Sequence, residues 1–203
     1  MKTRSVFFAL LLTSLAFASL TSCSSKKKES ADTASPAEQP SSPSVPDAGQ
    51  PQFQVDQSFQ GQLSRLFDSY LKLKDAFYSS DAATVKTEAK QTLAALEQVD
   101  MKLLSGAAHH DWMTYLTPVQ TSLKVMQSEN GLEAQRKAFS VLSDNLYKSI
   151  RAFGLGGRET YYDYCPMAFN NEGAYWLSDS KEIRNPYFGE KMPGCGQVKE
   201  KLN

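Results

Sequence analysis

The sequence predicts an all-α domain: an up-down four-helix bundle with an irregular C-terminal segment packed on it. Between residues 57 and 154, apolar residues recur every three or four positions in four successive stretches, which places one apolar stripe along each helix. The links between these stretches are short, so neighbouring helices should run antiparallel. Beyond residue 154 the periodicity stops, and glycine, proline and aromatic residues become dense.

The first two helices follow from their apolar spacing and from one capping residue. The first stripe consists of Phe59, Leu63, Leu66, Tyr70, Leu73 and Phe77. The second helix should open at Asp81, whose carboxylate suits an N-cap, and stop at Gly106. Its stripe consists of Val85, Ala89, Thr92, Leu96, Val99 and Leu103.

The third helix is predicted around Trp112, Leu116, Val119, Leu123 and Met126. Pro118 either kinks this helix, because it lacks the N–H for the Thr114 carbonyl, or follows an N-cap at Thr117 and begins a separate helix. The fourth helix follows Asn130-Gly131 and ends before Gly154, a suitable C-cap. Its stripe consists of Leu132, Phe139, Leu142, Leu146, Ile150 and Phe153.

Residues 155–203 lack a sustained period, so we expect an irregular segment packed across the bundle. Tyr161, Tyr162 and Tyr164 suggest a short extended piece, and residues 174–183 suggest one or two helical turns. A segment with so little regular structure needs a cross-link, which is either a disulfide or a metal. Its expected anchors are Tyr162, Phe169, Tyr175, Trp176, Tyr187 and Phe188.

The N-terminus predicts export. Lys2 and Arg4 precede an apolar run over residues 6–20, which is typical of a secretory signal. The run Leu20-Thr21-Ser22-Cys23 resembles the lipobox of bacterial lipoproteins. We therefore expect residues 1–22 to be cleaved and Cys23 to carry lipid, palmitate included, that anchors the chain to a membrane. Ser24 after the cysteine favours the outer membrane, facing the periplasm.

Residues 23–56 predict a lipidated, disordered tether, and residues 57–203 predict the helical domain. The tether is rich in Ser, Pro, Ala and Gln and has almost no large apolar residue before Phe53, so it cannot bury a core. Removing residues 1–22 leaves 20 basic and 22 acidic residues, a net charge of −2. Such a balance offers no basic field for nucleic acid, which is excluded as a partner.

Soft metal ligands are concentrated in the C-terminal segment. Cys165-Pro166-Met167 and Met192-Pro193-Gly194-Cys195 each combine a thiol with a thioether, the donors that select Cu(I) over hard cations. The alternative is a plain Cys165–Cys195 disulfide, because the compartment beyond the inner membrane is oxidising.

His109 and His110, at the start of the third helix, are the two histidines of the chain. Imidazole suits copper and zinc, so one of them could complete the site if the tail folds back over that end of the bundle. Zn(II) is therefore a further candidate ion.

Four runs of the tail resemble a known family: Tyr164 to Ala168, Gly173 to Leu177, Lys181 to Gly189, and the Met192 and Cys195-Gly196 positions. They are similar to a domain-of-unknown-function family of small exported lipoproteins, and the resemblance extends over about residues 58–200. The same domain is fused to periplasmic adaptor subunits of copper/silver efflux systems. The resemblance implies association with copper-type metals and a heavy-metal efflux adaptor as partner.

These features favour a non-enzymatic function. No Ser, Asp or Glu lies in a recognisable nucleophile or acid–base motif, and Gly154-Leu155-Gly156-Gly157 is typical of a helix C-cap and hinge. We expect a periplasmic lipoprotein that binds Cu(I) or Ag(I) for sequestration or delivery to efflux. The alternative is an envelope interaction module without metal, held by a structural disulfide.

Overall fold

The computed structural model describes residues 45–203. The predicted signal peptide, Cys23 and the tether as far as residue 44 lie outside the described residues. The elements run in the order α1 (Gln57–Tyr78), α2 (Ala82–Glu97), α3 (Gly106–Ser128), α4 (Leu132–Phe153), β1 (Thr160–Cys165), β2 (Ala174–Ser178) and β3 (Gln197–Leu202). Short 3₁₀ turns lie at Met101–Leu103 and Gly189–Lys191, and a four-residue helical turn lies at Ala168–Asn171 between β1 and β2.

The four predicted helices are present, and their apolar stripes form the core. Asp81 caps α2 as expected, accepting hydrogen bonds from the backbone N–H groups of Ala83 and Thr84. Gly154 follows α4 with a positive φ of 71°. Pro118 lies inside a continuous α3, so no separate helix begins at that proline.

The predicted end of the second helix at Gly106 is wrong. Helix α2 ends at Glu97, and Asp100 begins a new 3₁₀ turn by accepting the backbone N–H of Lys102. Gly106 is instead the first residue of α3. Leu103 consequently leaves the apolar stripe and is 38 % exposed.

Two residue clusters define the two ends of the bundle. At one end the rings of Phe59, Trp112 and Phe153 pack edge to face, with centroids 5.3–6.0 Å apart. At the opposite end the buried Gln135 donates to the carbonyl oxygens of Met126 and Ala82. Since the start of α1 and α3 and the end of α4 share the first cluster, the helices alternate in direction.

The prediction of an all-α fold is wrong for the C-terminal segment, which contains a three-stranded antiparallel sheet in the order β2-β1-β3. Strand β1 lies in the centre, pairing Cys165 with Ala174 of β2 and Thr160 with Leu202 of β3. The expected extended piece around Tyr161 is β1, whereas the helical turns expected at residues 174–183 are replaced by β2 and a loop. The strands are short; β1 and β2 are mostly buried, and β3 is mostly polar. They therefore lack the alternation of apolar and polar residues by which a strand is recognised in a sequence.

The sheet packs on the bundle mainly through α4. Tyr162 of β1 stacks on Tyr147 of α4 with ring centroids 3.8 Å apart, and its hydroxyl donates to Asp144. From α1, the Tyr70 hydroxyl reaches both Ser143 of α4 and the backbone N–H of Leu177 in β2. The tail is therefore an integral part of the core.

Residues 45–56, which we call the strap, pack against the domain, so its ordered part begins before residue 57. Backbone N–H groups of Gln52 and Phe53 donate to the carbonyls of Arg151 and Ala152 at the end of α4. Farther along, Ala48 and Lys201 are linked by a backbone hydrogen bond of 2.8 Å. Within residues 45–203, no helix is both long and apolar enough to cross a bilayer.

Candidate thiol site

The fold brings Cys165 and Cys195 together. Their sulfurs lie 2.9 Å apart although the residues are 30 positions apart in sequence. Cys165 ends the central strand and is 0 % exposed, while Cys195 is half-buried. From this separation a disulfide bond of about 2.05 Å can form with little side-chain movement. A metal ion can be held once the sulfurs move apart, because a metal–thiolate bond is about 2.3 Å long.

Gly196 allows this close approach. Its φ is +148°, and an added Cβ would lie 2.8 Å from the Trp176 ring and 3.1 Å from the Tyr164 carbonyl oxygen. The chain can therefore run directly over β1 and β2 only if residue 196 lacks a side chain. Gly194, the glycine on the other side of Cys195, has open space around it.

The hydrogen bond between the two thiols favours the protonated form of Cys195. That bond, followed by burial, raises the pKa of Cys195 to about 11. A thiol with this pKa is protonated at neutral pH, so either disulfide formation or metal binding must remove the proton of Cys195.

The two methionines differ in exposure and in their surroundings. Met167 is 48 % exposed and lines a groove of about 820 Å³ against α4, and neither cysteine lines that groove. Met192 is half-buried three residues before Cys195, and its carbonyl accepts the Cys195 N–H. Met192 therefore belongs to the same turn as Cys195.

The structure does not bring His109 and His110 to the cysteines. Both lie in the first turn of α3, three residues or fewer from Trp112, which packs on Phe153 at the end of α4. The loop that carries Cys195 packs near the start of α4, where Arg136 donates to the Pro186 carbonyl. Residues 136 and 153 of one helix are about 25 Å apart. Throughout residues 45–203, no three His, Cys, Asp or Glu side chains converge on one point, so no donor set of the zinc type is present there.

Asn185 is a residue of the site that the sequence analysis missed. It is 0 % exposed, and its side-chain amide donates to the carbonyl of Cys195 at 2.6 Å. The signal was the dipeptide Asn185-Pro186, which commonly initiates a turn.

Asp163 and Lys74 are two further residues that the sequence did not single out as functionally important. Asp163 lies two residues before Cys165 on the same face of β1, fully buried, and neither carboxylate oxygen has a hydrogen-bond partner in the described residues. Burial raises the pKa of Asp163 to about 7, and the charge of Lys74 partly opposes that rise. Burial in turn lowers the pKa of Lys74. The pattern of apolar residues in a sequence does not indicate that a single carboxyl group within a strand is buried.

In a comparison with protein families, residues 66–157 match the family described as "Protein of unknown function (DUF3347)". The predicted resemblance to a domain-of-unknown-function family is thereby confirmed for the helices. The matched region ends before Cys165 and Cys195. Neither the curated proteins nor the solved structures contain a match to the chain.

Proposed function

We propose that this chain is an exported, lipid-anchored protein that binds a soft metal ion, Cu(I) or Ag(I), at Cys165 and Cys195. It holds the ion for sequestration or for delivery to a heavy-metal efflux adaptor. The observation that carries the proposal is that the fold brings together two sulfurs that are 30 positions apart in the sequence. Thiolates are polarisable donors that prefer Cu(I) to hard cations.

The arrangement of the pair suits capture and release. Cys165 is held inside the sheet, whereas Cys195 is half-buried on a loop. Loading requires the two sulfurs to move apart, and Cys195 is the one that can rotate outward. Met192 is a candidate third donor, and Met167 is a candidate first contact for an ion approaching along its groove. The chain exchanges ligands with its metal and makes or breaks no covalent bond in a substrate.

A Cu(I) titration tests the proposal. The full-length chain, reduced and free of oxygen in detergent, is titrated with Cu(I) against a chromophoric Cu(I) chelator. We expect about one Cu(I) per chain for the wild type and loss of that binding in the variant C165S/C195S. The matched control is H109A/H110A, which removes the imidazoles at the other end of the bundle and should bind as the wild type does. Unchanged affinity in C165S/C195S would refute the proposal.

The second candidate is an envelope interaction module in which the cysteines form a structural disulfide. Two observations favour it: the sulfurs lie closer than a shared metal ion allows, and no third His, Cys, Asp or Glu donor joins them in the described residues. The intact mass of protein isolated without reductant discriminates. A mass about 2 Da below the reduced value, together with no Cu(I) uptake after reduction, selects the interaction module.

The proposed envelope location rests on the lipobox-like run ending at Cys23 and on the resemblance to exported lipoproteins. Labelling cells with a palmitate analogue tests it. We expect label in the wild type and in the outer-membrane fraction, and none in Cys23→Ser. Label retained by Cys23→Ser would remove the lipid from the proposal.

A further inference from the structure

The loop that returns the chain to Cys165 spans residues 185–195, and we call it the cysteine loop. Apart from the 3₁₀ turn Gly189–Lys191 it has no regular secondary structure. Its two ends are nevertheless fixed to each other, since the backbone N–H of Asn185 donates to the Pro193 carbonyl at 3.0 Å. Because regular secondary structure does not fix the rest of the loop, side chains within the loop must hold its conformation.

Asn185 uses every one of its polar groups inside the loop. Its backbone carbonyl accepts the N–H of Gly189 at 3.0 Å. Its side-chain oxygen accepts the N–H groups of Tyr187 at 2.8 Å and Phe188 at 3.2 Å. Its side-chain nitrogen donates to the Cys195 carbonyl at 2.6 Å. Because Asn185 is fully buried, these bonds are protected from competition with water.

Only an amide of this length meets these demands. The site needs an acceptor for two N–H groups and, on the same short side chain, a donor to a carbonyl. Aspartate keeps the acceptor but loses the donor, and its charge would face the Cys195 carbonyl. Alanine loses both and leaves the Cys195 carbonyl without this partner.

We infer that Asn185 is the positioning residue of the thiol pair: its bond to the Cys195 carbonyl holds the sulfur of Cys195 against Cys165 before any bond or ion joins them. Without it, bringing together residues 30 positions apart would require ordering the cysteine loop at the moment of reaction. The inference concerns the thiols themselves, and only its consequence for metal uptake rests on the proposed function.

The test measures how readily the folded pair oxidises. Full-length protein in detergent is equilibrated with glutathione: the two thiols lose two electrons and two protons, and one glutathione disulfide becomes two glutathione thiols. Asn185→Asp should shift this equilibrium towards the dithiol by about five- to tenfold, the effect of one buried hydrogen bond. Asn185→Ala, which also loses the two accepted bonds, should shift it at least as far. Glu190→Ala, which changes an exposed side chain of the same loop, should leave it unchanged.

A merely structural role predicts a different result. If Asn185 only stabilised the fold, both variants would melt earlier while their folded fraction kept the wild-type glutathione equilibrium. An equilibrium within twofold of the wild type in the folded variants would overturn the inference.

The wild type supplies a second measurement that does not depend on how the variants fold. In the reduced, metal-free protein, the side-chain amide protons of Asn185 should exchange slowly with solvent by NMR, since their bond to Cys195 precedes any cross-link. Rapid exchange in the reduced state would also overturn the inference. Should Cu(I) binding fail while the glutathione shift is observed, the proposed function falls and the positioning role of Asn185 stands.

Discussion

Asp163 illustrates how one side chain can make stability depend on pH. Its carboxyl group is fully buried beside Cys165, and the cation that acts on it is Lys74 of α1, which is 4 % exposed. The Lys74 ammonium lies 4.0 Å from the Asp75 carboxylate, and the charges of Asp75, Asp179 and Asp163 all act on it. Tyr70 of α1 adds a buried, neutral hydroxyl to the same region.

We predict that stability falls as pH rises through the range in which Asp163 ionises. The folded pKa of Asp163 is about 7, above the ordinary value of 3.8, so the folded state binds more protons than the unfolded state between these two values. The free energy of unfolding of the reduced, metal-free protein should decrease by up to about 1.4 kcal/mol per pH unit across that window. Urea denaturation at several pH values measures it.

Asp163→Asn is the matching variant, because it keeps the shape and removes the titration. Its free energy of unfolding should lack this fall with pH. A variant that keeps the wild-type slope would show that other groups cause the pH dependence.

Gly189 is the second residue whose substitution has a clear structural outcome. It has a φ of +59°, and an added Cβ would overlap the carbonyl oxygen of Tyr78 at the end of α1. Gly189→Ala should therefore lower stability by at least about 1–2 kcal/mol, the cost of the left-handed conformation alone. Gly194→Ala, in the same loop with open space around it, is the control and should change stability little. Equal melting temperatures for the two variants would contradict this reading.

At the level of elements, one hydroxyl joins α1, α4 and β2. The buried Tyr70 hydroxyl lies 2.8 Å from the Ser143 oxygen and 3.0 Å from the Leu177 nitrogen. Tyr70→Phe leaves both partners buried without it, so we expect a loss of about 1–3 kcal/mol in the free energy of unfolding. Tyr115→Phe on the half-buried face of α3 is the control, and a loss no larger than in that control would argue against the bridge.

The helices were predictable because each has a long apolar stripe that alone decides which face is buried. The sheet was not predictable, because its strands have only five or six residues and their extended conformation depends on tertiary contacts. Strand β3, with the sequence QVKEKL, is polar at most positions and is recruited by pairing with β1. The boundary at Glu97 was missed because Val99 and Leu103 extend the helical rhythm of α2 beyond its end.

The site was predictable only in part. The combination of a thiol with a thioether in two runs of the tail singled out Cys165 and Cys195, which the fold brings together. The sequence could not say which end of the bundle the tail reaches, so His109 and His110 were assigned to a site at the opposite end. Asn185 resembles any turn asparagine in sequence, and its role depends on a carbonyl ten residues away.

For the whole molecule, the strap changes where the domain begins. Phe53 stacks on Phe153 with centroids 5.7 Å apart, and strap N–H groups satisfy carbonyls at the end of α4 that otherwise lack intrahelical partners. A chain that begins at residue 57 should be less stable than one that begins at residue 45, by about 2–4 kcal/mol for the lost aromatic burial and hydrogen bonds. Thermal unfolding of the two chains measures this, and Phe53→Ala in the longer chain should reproduce part of the loss. Equal stability of the two chains would show that residues 45–56 belong to the tether and not to the folded domain.

The positions of the two tryptophans have a practical consequence. Trp176 lies against Gly196, the residue that follows Cys195, whereas Trp112 is enclosed by Phe59 and Phe153 at the other end of the bundle. Sulfur and copper both quench indole emission at short range. In Trp112→Phe, the emission intensity of Trp176 should change when the thiols are oxidised or bind metal. In Trp176→Phe, the emission of Trp112 should stay constant. Trp176 is thus an intrinsic fluorescent probe of the thiol pair, and Trp112 is an internal reference at the opposite end of the bundle.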